Sequence, residues 1–254
     1  MSARFTDKVV LITGATSGMG RAAAERIAAE GAKVVLAARG EEAGEALASE
    51  LRSRGADALF VRTDVTAEAD VAALVQQVAD RHGRLDGAFN NVGAATAIGP
   101  LTDIDSKAWD ADLALNLGSV FFSLKHQIPL LRASGGGAIV NNASNLAVTG
   151  AAGMASYSAA KHGVVGLTRS AALDTAAAGV RINALVTGGV DTPLLRGNMG
   201  MPPEEAVRVA GAHHPLGRIA QPSEIAAFVA FLLSDEATFI TGAALAIDGG
   251  LTAA

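Results

Sequence analysis

Tyr157 is the only tyrosine of this 254-residue chain, and Lys161 follows it four residues later in a segment that has the pattern of a helix. Residues four apart on a helix share one face, so the phenol and the ammonium are expected to be neighbours. A nearby positive charge favours the phenolate and would lower the pKa of a tyrosine, which is about 10 in water, toward the range of acid–base catalysis. The same spacing also occurs where a ring packs and a lysine extends its amine to solvent.

Two further polar side chains stand in apolar surroundings. Ser144 follows a predicted strand and precedes the tyrosine by thirteen residues, and its hydroxyl can donate a hydrogen bond to a carbonyl oxygen. Asn116 lies between Leu115 and Leu117 in a long helical stretch. Each also has a structural interpretation, because Ser144 can cap the next segment and Asn116 can be a core amide with its hydrogen bonds made within the protein.

A glycine-rich turn follows the first apolar run of the chain. It contains Gly14, Gly18 and Gly20, and a helical pattern begins at its end. Glycines let a backbone approach a pyrophosphate closely, and the helix N-terminus then supplies N–H donors to the anion. The spacing differs from the common G-x-G-x-x-G pattern, so the turn alone is also compatible with a structural role. Its position after the first strand favours a dinucleotide site.

The end of the second predicted strand carries a signal for the type of dinucleotide. An acidic residue at this point commonly binds the ribose 2′-hydroxyl of NAD, whereas an arginine accommodates the 2′-phosphate of NADP. Here Ala38 is followed by Arg39, whose guanidinium is permanently charged. We therefore expect NADP(H) to be preferred. NAD(H) stays possible, because Glu41 and Glu42 follow closely and could instead pair with the arginine or face the ribose.

The ends of the next two predicted strands also carry polar residues. Asp64 and Val65 follow the third strand, where a carboxylate can accept from an adenine amino group, and Asn91 and Gly93 follow the fourth. An aspartate before a helix is often only an N-cap. The succession of such residues at strand ends favours a nucleotide site along one sheet edge.

Seven short, β-rich apolar runs alternate with longer amphipathic stretches. The predicted strands are Lys8–Thr13, Lys33–Ala38, Ala58–Thr63, Leu85–Asn90, Gly137–Asn142, Val180–Val186 and Ala244–Ile247. The predicted helices are Gly20–Glu30, Glu41–Arg54, Ala67–His82, Ile104–Arg132, Met154–Ala178 and Pro222–Leu233. The alternation predicts an α/β fold: a Rossmann-like, doubly wound, seven-stranded parallel sheet with helices on both faces, in one domain spanning 1–254.

A long segment, 187–215, interrupts this rhythm between the sixth strand and the last helix. It contains Gly188 and Gly189, several prolines, and two methionines. A connection of this length is more often functional than passive, and the strand before it ends at the edge where such sheets bind ligands. We expect a substrate lid.

Taken together, these features resemble the short-chain dehydrogenase/reductase family, in its single-domain branch, over nearly the whole chain. The residues that carry the resemblance are Thr13-Gly14-x-x-x-Gly18-x-Gly20, Asn90-Asn91-x-Gly93, Asn116, Ser144, Tyr157-x-x-x-Lys161 and Asp248-Gly249-Gly250. The four-residue interval between tyrosine and lysine does not match the enoyl-reductase-like branch, where the interval is longer. Val92 and Thr187 depart from the family's usual alanine and proline, which puts the local shape of the cofactor site in question.

The resemblance implies hydride transfer between a nicotinamide and a carbonyl or carbinol carbon. Tyr157 would be the general acid or base, Lys161 would lower its pKa and hold the nicotinamide ribose, Ser144 would steady the substrate oxygen, and Asn116 would support a proton relay. Cofactor contacts are expected from Gly14, Thr16, Ser17, Gly18, Met19, Gly20, Arg39, Asp64, Val65, Asn91, Gly93, Tyr157, Lys161, Val190 and Thr192. No metal site is expected, and His213 and His214 are interpreted as surface residues of the lid.

The substrate pocket is expected to be small and apolar, which favours a hydrophobic ketone or secondary alcohol. Its predicted lining is Ala94, Ala95, Leu146, Gly189, Leu194, Leu195 and Met199. Two alternatives stay open. The chain could be a 3-oxoacyl-carrier-protein reductase, although Ser17 stands where such enzymes commonly have a basic residue, or it could be a non-catalytic regulator that binds a dinucleotide.

Composition excludes several classes of protein. The chain has 20 basic and 25 acidic residues, a net charge of −5 and no clustered basic face, so we expect no nucleic-acid partner. It has no cysteine, and Ile225 to Leu233 is far shorter than the roughly 20 residues that span a bilayer. The N-terminal residues Met1 to Lys8 do not resemble a signal peptide. We expect a cytoplasmic protein without a membrane partner and, from the resemblance, a homotetramer that acts on a small molecule.

Overall fold

Seven parallel strands form a single sheet in the computed structural model, which describes residues 3–198 and 200–253. The strand order is β3-β2-β1-β4-β5-β6-β7. The strands are β1 (Val9–Thr13), β2 (Lys33–Ala38), β3 (Ala58–Arg62), β4 (Gly87–Asn90), β5 (Gly137–Asn142), β6 (Val180–Thr187) and β7 (Ala244–Ile247). Every predicted strand is present, with ends that differ by at most two residues, and the predicted fold class is confirmed.

Helices cover both faces of the sheet. They are α1 (Gly18–Ala29), α2 (Glu41–Ser53), α3 (Glu68–His82), α4 (Ser106–Leu113), α5 (Ser119–Ala133), α6 (Ala155–Thr175), α7 (Pro193–Asn198), α8 (Pro203–Ala212) and α9 (Pro222–Leu233). The side chains of β1 show why two layers form. Val10 and Ile12 belong to one buried cluster with α1, α2 and α9, whereas Val9 and Leu11 belong to a second cluster with α3, α5 and α6. Alternate residues of a strand point to opposite faces, so a continuous apolar run is buried on both sides.

The order of the strands reverses beside β1. The chain moves outward from β1 to β2 and β3, and then returns to place β4 on the other side of β1. In sheets of this kind, ligands bind beyond the carboxyl ends of the strands at this point of reversal. The turns after β1 and β4 therefore border the same cleft.

The predicted helix Ile104–Arg132 is wrong as a single element. It begins at Ser106, capped by Asp105, and a π-helical turn at Ala114–Gly118 separates α4 from α5. A π turn inserts an extra residue and is frequent at functional sites. Here it contains Asn116, whose side chain bonds to the loop after β4.

The segment 187–215 is also more regular than predicted, since it contains α7 and α8. Within the described parts of the chain, no helix combines the length and the hydropathy that a membrane span requires.

Candidate active site

A cavity of about 590 Å³ opens at the carboxyl ends of β1, β4, β5 and β6. A second cavity of about 270 Å³ adjoins it at the end of β2 and shares five lining residues with it, namely Gly14, Ser17, Arg39, Val92 and Leu115. The two cavities therefore form one elongated cleft. Tyr157 and Lys161 lie at one end, which we call the catalytic end, and Arg39 and Asp64 lie at the other, the nucleotide end.

The catalytic end contains the predicted tyrosine–lysine pair in the first two turns of α6. The Lys161 Nζ lies 5.6 Å from the centroid of the Tyr157 ring. Lys161 is fully buried, and its ammonium donates a hydrogen bond of 2.7 Å to the backbone oxygen of Asn142, at the end of β5. The spacing on one helix face thus brings phenol and amine together as expected.

Burial changes the protonation of both groups. It raises the pKa of Tyr157 above its ordinary value, and the negative charge of Asp112 adds to this, whereas a hydrogen bond with Ser144 acts in the opposite direction. Desolvation lowers the pKa of Lys161 to about 8. The shift of the phenol is opposite to the one expected from the Tyr157–Lys161 spacing, because the burial that brings the two groups together also removes both from water.

Ser144 lies beside Tyr157 and has the capping role considered for it. Its Oγ accepts a hydrogen bond of 3.2 Å from the Leu146 amide, which caps a short 3₁₀ turn, and donates to the Asn145 Oδ1 at 3.2 Å. Ser144 and Tyr157 both line the cavity. A carbonyl oxygen placed here could accept from both hydroxyl groups.

Asn116 is fully buried and stands behind Gly93. Its side chain bonds to both the amide and the carbonyl of Ala94, at 3.0 and 2.8 Å, and to the backbone oxygen of Asp112 at 3.0 Å. A Cβ at Gly93 would lie 2.8 Å from both the Asn116 Oδ1 and the Lys161 Nζ. Only glycine therefore allows these two polar groups to approach the turn after β4.

The glycine-rich turn after β1 requires its glycines for two different reasons. Gly14 and Gly18 have positive φ angles of 63° and 51°, which favour glycine. Gly20 lies within α1, where an added Cβ would be 2.2 Å from the Gly14 oxygen. The turn is therefore tight enough for α1 to begin at the cleft, and its N-terminal N–H groups face the region where an anion can bind.

At the nucleotide end, Arg39 is exposed directly after β2. Neither Glu41 nor Glu42 forms an ion pair with it in the structure as described for residues 3–198 and 200–253. Hydrogen bonds from Thr66 lower the pKa of Asp64, and the charges of Arg39 and Arg62 lower it further. The charged side chains that line this end are thus one guanidinium and one ionised carboxylate, Arg39 and Asp64.

Most of the predicted site residues line the cleft. Those that do are Gly14, Thr16, Ser17, Gly18, Met19, Arg39, Asp64, Val65, Asn91, Gly93, Ser144, Tyr157, Lys161, Val190 and Thr192. Gly20 and Asn116 lie behind the wall. Of the predicted substrate-pocket residues, Ala94, Ala95, Gly189, Leu194 and Leu195 line the cavity, whereas Leu146 is packed in the protein interior and Met199 lies outside the described residues.

A histidine that was predicted to be on the surface connects two parts of the segment 187–215, the predicted lid. His213 is exposed, but His214 is buried, so the prediction is wrong for His214. Its Nε2 accepts a hydrogen bond of 2.9 Å from the Gly189 amide, and its Nδ1 lies 2.8 Å from the Ala210 oxygen. The ring therefore connects the start of the lid to α8.

An ion pair holds the middle of the lid. Arg196 on α7 binds Asp191, with a distance of 2.5 Å between its Nε and the Oδ1, and Glu204 on α8 at 2.7 Å. Together with the contacts of His214, this ion pair links separate parts of the segment 187–215 to one another.

Comparison with known proteins identifies the family. A family model described as enoyl-(acyl carrier protein) reductase matches residues 14–252. The cis-4-hydroxycyclohexanecarboxylate dehydrogenase of Sinomonas cyclohexanicum is 45% identical over 253 residues, which is 100% of both chains. The crystal structure of levodione reductase superposes with a TM-score of 0.95 at 40% identity, covering 99% of this chain and 100% of that chain. This chain is a short-chain dehydrogenase/reductase.

A further crystal structure in this family, of a variant actinorhodin polyketide ketoreductase with NADPH, has a TM-score of 0.91 and 36% identity, and covers 98% of this chain and 99% of that chain. The relatives are oxidoreductases, and this chain is an enzyme of the same family. Its two departures from the family pattern, Val92 and Thr187, both line the cavity.

Several residues that shape this site carried no sequence signal strong enough to be selected. Asn142 receives the Lys161 hydrogen bond, Asp112 bonds to the loop after β4, and Arg62 lies opposite Ala38 in the register of the sheet. The pocket wall also includes Ile98, Leu115 and Met154. Asp112 could have been noticed, since it lies one helical turn before Asn116 in the same apolar stretch.

The described residues contain no group of three or more histidine and carboxylate side chains that could hold a metal ion.

Proposed function

We propose that this chain transfers a hydride between NADP(H) and an uncharged, apolar cyclic ketone or the corresponding secondary alcohol. The observation that carries the proposal is that three polar side chains meet inside an otherwise apolar wall at the catalytic end of the cleft. Tyr157, Ser144 and Lys161 meet there. The wall around them is otherwise dominated by small or apolar side chains: Ala94, Ala95, Ile98, Leu115, Met154, Pro193, Leu194 and Leu195.

The charge of the lining argues for a neutral substrate. Among the described residues that line the larger cavity, the cationic side chains are Lys161, which is already bound to Asn142, and Arg39 at the nucleotide end. The Sinomonas relative is named for a substrate that carries a carboxylate on a cyclohexane ring. A carboxylate in the present pocket would lose its water without gaining a cationic partner, which is costly. We therefore infer a similar ring without the carboxylate.

The residues at this end can move and hold a proton during carbonyl reduction. Tyr157 donates its phenolic proton to the carbonyl oxygen as hydride reaches the carbon, and Ser144 donates a hydrogen bond to the same oxygen. In alcohol oxidation the phenolate accepts the proton. The bound nicotinamide supplies or receives the hydride. Lys161 provides a buried positive charge that favours the phenolate.

The cleft has the features that a dinucleotide requires. The turn after β1 approaches the cleft through Gly14 and Gly18, and α1 begins there. The Oδ1 atoms of Asn91 and Asn142 are buried and have no hydrogen-bond partner among the described residues. Hydroxyl donors of a nucleotide would satisfy such acceptors, whereas leaving them unpaired is costly.

NADP(H) is favoured over NAD(H) by the nucleotide end. The guanidinium of Arg39 is exposed at the end of β2 with no ion-pair partner among the described residues, and Arg62 lies on the neighbouring strand. Such a pair can bind a 2′-phosphate, and Ala38 offers no carboxylate to a 2′-hydroxyl. The actinorhodin ketoreductase structure that contains NADPH supports this choice by similarity.

A matched pair of substrates tests the proposal. We expect the purified protein to reduce 4-methylcyclohexanone with NADPH, with a kcat/KM at least about 10-fold higher than for 4-oxocyclohexanecarboxylate, because the charged ring loses its hydration. The measurement is the loss of nicotinamide absorbance for both ketones with each dinucleotide. A preference for the carboxylate would contradict the neutral-substrate proposal, and a higher kcat/KM with NADH would contradict the cofactor proposal.

A second candidate is reduction of an acyl group bound to a carrier protein. The observation in its favour is the description of the matching family model, which names acyl carrier protein, although with an enoyl rather than a 3-oxoacyl group. This candidate predicts turnover of a 3-oxoacyl thioester at a rate above that of every cyclic ketone.

Assembly into a homotetramer and a cytoplasmic location stay predictions, and gel filtration with light scattering tests the first of them.

A further inference from the structure

Asp112 is a fully buried carboxylate in α4, and its oxygens do not line the cleft. A buried charge is tolerated only when hydrogen bonds replace its water. Here the carboxylate accepts four such bonds. Its Oδ1 accepts from the Thr96 amide at 3.0 Å and from the Thr96 hydroxyl, and its Oδ2 accepts from the Ala97 amide at 3.3 Å and from the Ser156 hydroxyl at 2.6 Å.

These four donors come from two different parts of the active site. Thr96 and Ala97 belong to the loop after β4, whose earlier residues Ala94 and Ala95 line the cavity. Ser156 lies in α6, directly before Tyr157. One carboxylate therefore joins the substrate-facing loop to the helix turn that carries the phenol.

Asn116 reinforces this connection from the next helical turn. It binds both backbone groups of Ala94, and its Nδ2 also donates to the backbone oxygen of Asp112. The hydroxyl, amide and carboxylate groups of this network bond to partners within the protein, as a rigid buried network requires. The loop after β4 is thus held at Ala94 by Asn116 and at 96–97 by Asp112.

We propose that Asp112 is a positioning residue that fixes the Tyr157 hydroxyl against the substrate wall formed by the loop after β4. This inference rests on the proposed function, because it assigns a role in placing the general acid. Asp112 does not touch the cavity and takes no part in proton transfer. Its effect on the reaction passes through Ser156 and the loop, and a small displacement of a reacting group can reduce turnover by about 10²-fold.

The charge of Asp112 has a second, measurable effect. It raises the pKa of Tyr157, together with burial of the phenol. The other charged group beside the ring is Lys161 on α6. The remaining elements around it contribute neutral groups to the cavity: the loop after β4, the end of β5 with Asn142 and Ser144, and the described lid residues from Thr187 to Leu195 that line the cavity.

The unique tyrosine allows this effect to be measured without any turnover. Phenolate absorbs in the near ultraviolet, so a pH titration of absorbance reports Tyr157 alone, with Tyr157→Phe as the blank. We expect Asp112→Asn to lower the midpoint of this titration, because removing a negative charge favours the phenolate. Asp110→Asn is the matched control, since Asp110 is exposed on the same helix, and its midpoint should equal that of the unchanged protein.

Kinetic variants test the positioning role separately from the charge. Ser156→Ala removes one hydrogen bond and keeps the carboxylate, so we expect kcat for ketone reduction to fall by about 10-fold with little change in the dissociation constant of the dinucleotide. Ser158→Ala is the matched control two residues further along, because the Ser158 Oγ has no hydrogen-bond partner in the part of the chain that the structure describes. Asp112→Asn should reduce kcat at least as strongly. Thr96→Val gives a further variant if Asp112→Asn fails to fold.

Two results would overturn the inference: an unchanged titration midpoint in a folded Asp112→Asn protein, or an unchanged kcat in Ser156→Ala and Thr96→Val. If the unchanged protein reduces no ketone with either dinucleotide, the proposed function fails instead. The absorbance titration would then still decide whether Asp112 acts on Tyr157.

Discussion

The two ends of the cleft differ in how their charged residues are held. At the catalytic end, Lys161 and Asp112 are fully buried and bonded to the protein interior, and the pKa of Lys161 is lowered to about 8. At the nucleotide end, Arg39 is exposed, and Asp64 is held by hydrogen bonds from Thr66 near the surface. Burial thus perturbs protonation at one end, while the other end acts mainly through accessible charge.

This difference separates two tasks. Proton transfer needs groups whose position and protonation are set by their surroundings, and burial supplies both. Selection between two dinucleotides needs only a charge that can reach a phosphate, and solvent exposure does not prevent this. We therefore expect substitutions at the catalytic end to affect the chemical step or stability, and those at the nucleotide end to affect binding preference.

The largest effect is expected from Tyr157→Phe. The ring keeps its packing, but the acidic hydroxyl is lost, so kcat should fall by about 10²- to 10⁴-fold while the dissociation constant of NADPH stays nearly unchanged. Steady-state kinetics and nicotinamide fluorescence titration measure the two quantities. Near-normal turnover in this variant would show that the catalytic end is not where the proton is transferred.

Lys161→Met should change both turnover and the pH dependence of the free energy of unfolding. Because the pKa of Lys161 is about 8 in the folded chain and about 10.5 when unfolded, the unfolded state binds more protons between these pH values. The free energy of unfolding should therefore rise with pH across this range, by about 3 kcal/mol. In Lys161→Met this rise should be absent, and turnover should be lost.

Urea unfolding at pH 8 and at pH 10 measures about two thirds of this contribution. Lys107→Met is the control, because Lys107 is exposed on α4 and should keep the rise. An equal rise in Lys161→Met would mean that the buried amine is not its source, and that the contrast between the two ends of the cleft is smaller than we infer.

The smallest of these effects is expected from Arg39→Ser. Without the guanidinium, kcat/KM for NADPH should fall by about 10- to 100-fold while that for NADH changes little, because only the 2′-phosphate loses a charged partner. Arg54→Ser, at the exposed end of α2, should leave the ratio of the two values unaltered. Equal losses with both dinucleotides would remove Arg39 from the selection of the cofactor.

Local patterns predicted the fold well. Strands β1, β2 and β5 are short apolar runs that are buried along most of their length and bounded by turn residues, so their length and their flanking residues identify them. The long helix before β5 was predicted without its break, because apolar periodicity does not distinguish a π turn from a continuous helix. The lid helices were not predicted, since glycines and prolines dominate that segment.

The site was predicted only where its residue types are distinctive. The glycine turn, the tyrosine–lysine spacing and Arg39 are visible along the chain. His214 and Asp112 were missed or misinterpreted because a lone histidine or aspartate has no pattern of its own. Their partners, Gly189 and Ser156, lie 25 and 44 residues away along the chain.

The sequence by itself determined the strand–helix alternation, the glycine-rich turn after β1 and the pairing of Tyr157 with Lys161 on one helix face, since each depends on residues near one another in the chain. Only the tertiary structure decided that Lys161 loses its water, that the pKa of the phenol rises, and that Asp112 joins the loop after β4 to α6. Burial and long-range hydrogen bonds arise from packing distant segments together, and no local pattern contains them.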